Sequence, residues 1–146
     1  MKITESDFSC QIVKSVQTNL GHIFFFNHIA IVELNEGIHF NINNAHLILD
    51  ELKSFFGDKQ PFGVIANRIN SYSIDFKNIQ KYRAQLRNLQ SYGVVGHDSI
   101  SMMNAIIEND FCISEKIYYD TIYDAINHVY HKVKKSNLFS LTQLNQ

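Results

Sequence analysis

The chain has 146 residues, which suits one domain around one core, and its 45% hydrophobic and 18% charged residues describe a globular protein, not a disordered one. Thirteen basic against 14 acidic side chains give a formal net charge of -1, which excludes the strong field that draws a protein to nucleic acid or an anionic bilayer. Apolar runs such as "IFFF" and "IAIV" are too short to span a membrane, so no membrane insertion is expected. Glu5 and Asp7 stand where a signal peptide needs an apolar stretch, and a cytoplasmic protein is the expectation. Cys10 and Cys112 show neither paired spacing nor a metal-like neighbourhood and read as free thiols.

In chain order, residues 11–17 read as a first edge strand. "HIFFF" (22–26) and "HIAIVEL" (28–34) are rich in β-branched and aromatic residues, with Asn27 in the turn between them. "NEG" (35–37) is a turn in which Gly37 takes a positive φ, and "IHF" adds a short strand. From Asn43 the rhythm becomes helical: Ala45, Ile48, Leu49, Leu52, Phe55 and Phe56 share a face. Asn43 or Asn44 is the expected N-cap and Gly57 the stop. After Pro61 comes a strand at 62–67, then a helix capped by Ser73 whose Ile79, Tyr82, Leu86 and Leu89 repeat by threes and fours. "YGVVG" (92–96) is the next strand, residues 99–110 the next helix, and 113–119 alternate like an edge strand. The last helix, 121–135, buries Ile122, Ala125, Ile126, Val129 and Val133, with Thr121 and Asp124 forming a capping pair. The tail beyond it docks as a short helix, covers a partner or frays. The expected fold is therefore α/β, a mixed sheet with opening antiparallel strands, a parallel centre and four helices.

The stretches "IAIVELNEGIHFNINNAHLILDEL" and "YGVVGHDSISMMNAIIENDFCISEKIYYDTIYDAINHV" give this order its character. They resemble the STAS domain, and within it the small stand-alone bacterial relatives of the anti-sigma-factor antagonist, which share features with CRAL-TRIO domains. The resemblance spans about residues 22–134 and implies a non-enzymatic binding or regulatory domain. Phosphorylated members carry an Asp-Ser pair after the first parallel strand that follows the opening helix. That place falls at "NRINSYSID", where Ser71 and Ser73 are the candidates and neither follows an aspartate; the Asp98-Ser99 pair lies one strand later.

In open α/β sheets, sites gather where parallel strands end. Two such ends carry the candidate binding surface: Asn67, Arg68, Ser71, Tyr72 and Ser73, and then His97, Asp98 and Ser99. Arg68 there would fork onto a carboxylate or phosphate, and Tyr72 would stack or anchor; the alternative is a solvated loop whose serine caps a helix and whose arginine pairs with a nearby carboxylate. His97, Asp98 and Ser99 are not a triad, because consecutive side chains diverge where a strand becomes a helix; Asp98 or Ser99 reads as a helix cap. No catalytic residue, cofactor or metal is assigned: no phosphate loop occurs, and His128 and His131 lack a third ligand. In "FFF" (24–26), Phe24 and Phe26 share one strand face and Phe25 takes the other. Both faces need cover from the chain's own helices, a second copy or an apolar ligand. The expected partner is thus a protein or a small apolar molecule, with a homodimer as one alternative. The other is a small enzyme using Arg68, Tyr72, His97 and Asp98.

Overall fold

The computed structural model describes residues 1–96 and 117–136. Two short 3-10 turns, Ile3–Glu5 and Asp7–Gln11, precede an antiparallel start: β1 (Lys14–Thr18), β2 (Gly21–Phe25) and β3 (Ile29–Leu34). The chain continues through β4 (His39–Phe40), α1 (His46–Phe56), β5 (Phe62–Arg68), β6 (Ser73–Ile74), α2 (Ile79–Gln85), β7 (Leu89–Gly96), β8 (Tyr118–Tyr119) and α3 (Ile122–Lys135). Six strands form one sheet in the order β1-β2-β3-β5-β7-β8, and β3, β5, β7 and β8 run parallel. The mixed α/β sheet matches the expected class. The described residues hold three α-helices; the helix expected at 99–110 and the C-terminal tail lie outside them.

Every residue of β3 and β5 is buried, as befits strands covered on both faces. Alternation then sorts their side chains. Phe25, Val32 and Val64 face the layer of α1 and α2, with Ile48, Leu49, Leu52 and Phe56 of α1 against them. Phe24, Ile31, Ile65 and Val95 face α3, which answers with Ile122, Ala125, Val129 and Val133. The aromatic run divides as its period requires: Phe25 stacks on Phe55 with ring centroids 4.3 Å apart, while Phe24 joins the α3 side. The chain's own elements cover both faces, so the run itself gives no argument for a second copy.

Several local expectations hold. Gly37 and Gly57 take φ of 79° and 70°, and Thr121 accepts a hydrogen bond from the Asp124 N–H at 3.1 Å. Others are corrected. The N-cap of α1 is Ala45, which makes no side-chain capping hydrogen bond, so neither Asn43 nor Asn44 caps the helix. In the turn that leads into it, Asn41 Oδ1 accepts from the Asn43 N–H at 2.8 Å, and Asn44 Oδ1 accepts from the Asn41 N–H at 2.9 Å. Ser73 caps no helix: it lies in β6, which pairs with β4 as a separate two-stranded parallel ribbon. The helix expected from Ser73 through Leu89 shrinks to α2. Asn88 ends the rhythm, because its amide donates to the carbonyls of Gly57 and Gln60 and turns the chain into β7. Among the described residues, no helix is long and apolar enough to cross a membrane.

Candidate functional site

Between the sheet and the α1–α2 layer lies a cavity of about 130 Å³. Val32 and Leu34 of β3, Val64 and Ala66 of β5, and Leu89 and Tyr92 of β7 form its floor. Ile48, Leu49 and Leu52 of α1 and Tyr82, Arg83 and Leu86 of α2 form its walls. Tyr72, Phe40 of β4 and Ile74 of β6 close the end where the parallel strands finish. The β4–β6 ribbon is thus a roof. Its register, His39 with Ser73 and Phe40 with Ile74, turns Phe40 and Ile74 inward and leaves His39 and Ser73 exposed.

The sequence-predicted surface divides between this site and its surroundings. Arg68 is not on an exposed loop. It is the last residue of β5, paired with Gly96, and only 1% exposed. One guanidinium nitrogen donates to the Tyr72 carbonyl at 2.8 Å, and the guanidinium lies 4.1 Å from the Tyr72 ring centroid. The cation expected to meet a ligand therefore positions a cavity wall instead. Tyr72 itself is buried and lines the cavity.

Asn67 points to the opposite face and is also fully buried. Its amide donates to Glu33 Oε2 at 2.7 Å and to the Met1 carbonyl at 2.9 Å. Glu33 Oε2 also accepts the Ile3 N–H at 2.7 Å. These bonds fasten the N-terminal turns over the sheet and bury Ile3 completely. A carboxylate and an amide in the core are tolerable because their polar atoms are satisfied there.

Ser71 and Ser73 remain on the surface. The Ser71 N–H donates to Glu36 Oε2 at 2.7 Å, and the Ser73 hydroxyl lies 2.6 Å from His39 Nδ1. His97, Asp98 and Ser99 lie outside the described residues. Among the described residues, no group of three His, Cys, Asp or Glu side chains stands close enough to hold a metal ion.

Two titrations are displaced. Burial, then the nearby Asp75 carboxylate, pushes the Tyr82 phenol above its ordinary value. The Tyr82 hydroxyl is buried and has no partner in hydrogen-bonding geometry among the described residues. His28 is held below the ordinary imidazole range by burial first and Lys134 second.

Sequence reasoning placed Leu52, Tyr82 and Leu86 on inward helix faces without the space between them. The available signal was three tyrosines, 72, 82 and 92, at inward positions of one layer where smaller aliphatic residues would pack more closely. No protein-family model, curated protein or solved structure matches the chain.

Proposed function

We propose that the chain is a non-catalytic binding module of STAS-like architecture that takes a small apolar ligand between its sheet and the α1–α2 layer. The cavity carries this reading. Its lining is almost wholly apolar, so an apolar ligand that fits it gains by leaving water. Engineered apolar cavities of about 150 Å³ hold benzene, which sets the scale of the occupant. The order of elements supports the STAS-like part: three opening antiparallel strands, then helix–strand alternation in sequential sheet order, then a closing helix. The exposed pair Ser71 and Ser73, on the outside of the cavity's roof, favours a protein partner as the second reading.

The test is thermal denaturation with benzene or cyclohexane, on the native chain and on Val64→Phe. The native chain's midpoint rises with ligand concentration, as linkage requires, and the variant's does not. A native midpoint that ignores both compounds, or a variant that responds equally, overturns the reading.

A further inference from the structure

Arg83 is the one charged residue among those lining the cavity. It is half-buried, and in an almost wholly apolar lining its aliphatic stem is the part that suits the wall. Among the described residues, the Arg83 side chain forms no hydrogen bond or ion pair. Its neighbour Gln85 is engaged by Lys53 at 3.0 Å, and Arg68 by Tyr72 at 2.8 Å. A cation with no partner among the described residues thus belongs to a side chain that lines an almost wholly apolar chamber.

We propose, building on the cavity reading above, that the ligand is a small amphipathic monocarboxylic acid. Its carboxylate pairs with Arg83 and its hydrocarbon part fills the chamber. A guanidinium presents two parallel N–H donors that match the two oxygens of a carboxylate, and partial burial strengthens the pair relative to open water. A single lining cation matches a single negative charge; a phosphate dianion would call for a second. Comparison with benzene-holding cavities limits the tail or ring to roughly six carbons.

Isothermal titration calorimetry of the full chain with hexanoate and with 1-hexanol tests this, because the two share a tail and differ in the head. The native chain binds hexanoate at least tenfold more tightly than 1-hexanol. Arg83→Met, which keeps an apolar stem and removes the charge, loses that tenfold and holds 1-hexanol within twofold of the native affinity. Val64→Phe weakens both ligands. Equal native affinities, or hexanoate binding that survives in Arg83→Met, overturn the carboxylate assignment and leave the cavity reading standing. Hexanoate binding undiminished in Val64→Phe places the acid elsewhere and also overturns it. Binding of neither ligand overturns both the assignment and the cavity reading.

Discussion

Beneath α3 the parallel strands carry Gly63 and Gly93, and the helix lies directly on the strand backbone. A Cβ added at Gly63 would overlap Val129 Cγ1, and one at Gly93 would come within 3.1 Å of Val129 Cγ2 and 3.3 Å of the Tyr119 ring. Beneath α1 and α2 the same two strands carry Val64, Ala66 and Tyr92, and the layer leaves about 130 Å³ of space. One face is closed by removing side chains until a helix fits. The other is built from large rings and branched chains that meet at their edges and leave a chamber. Ordinary interiors are close-packed, so the second arrangement is the one that calls for a functional account.

Substitutions of opposite kind should separate the two faces. The largest effect is expected for Gly63→Ala, which forces a methyl group into Val129 and should cost about 2–3 kcal/mol in urea denaturation. Combining it with Val129→Ala should give a loss smaller than the sum of the single losses by about 1 kcal/mol or more, since the overlap disappears. Additive losses would mean that α3 does not rest on that glycine. Arg68→Met should follow at roughly 2 kcal/mol, the usual scale for a buried hydrogen bond from a charged donor. It should also weaken ligand binding through the loosened Tyr72 wall; unchanged binding would detach Tyr72 from the site. Val64→Phe adds more volume than Gly63→Ala yet should cost less than about 1 kcal/mol, because the space for it already exists. A loss as large as that of Gly63→Ala would remove the distinction between the faces.

The smallest effect concerns pH. His28 titrates lower in the folded chain than in the unfolded one. Its contribution to stability is therefore present above the unfolded value of 6.5 and is lost as pH falls below it, where the unfolded chain takes up the proton more readily. The thermal midpoint of the native chain should fall more steeply from pH 7.5 to 5 than that of His28→Gln. Parallel profiles would exclude His28 as a source of the slope.

What the sequence made legible follows from local chemistry. The split of Phe24 and Phe25 needs only the strand period, the face of α1 only the helical one, and the ends at Gly37 and Gly57 only a positive φ. The misreadings arose where distant residues decide the structure. Ser73 looks like a cap until β6 finds β4, 34 residues away. Leu86 and Leu89 continue a helical rhythm that Asn88 breaks by bonding to Gly57 and Gln60. Asn67 and Arg68 look like a polar loop because the partners that let them be buried, Glu33, the Met1 carbonyl and the Tyr72 carbonyl, lie on other segments. Ile3 sits in no periodic pattern, yet Glu33 holds it in the core. The cavity is harder still to read: it is a deficit of volume between residues that each look like ordinary core.

The most direct test is a crystal structure of the native chain under xenon pressure, since xenon enters apolar chambers of this size without needing a polar handle. The account predicts xenon among Leu52, Val64 and Tyr82, with none between α3 and the strands at Gly63 and Gly93. A chamber that stays empty, or xenon distributed equally between the two faces, would contradict it.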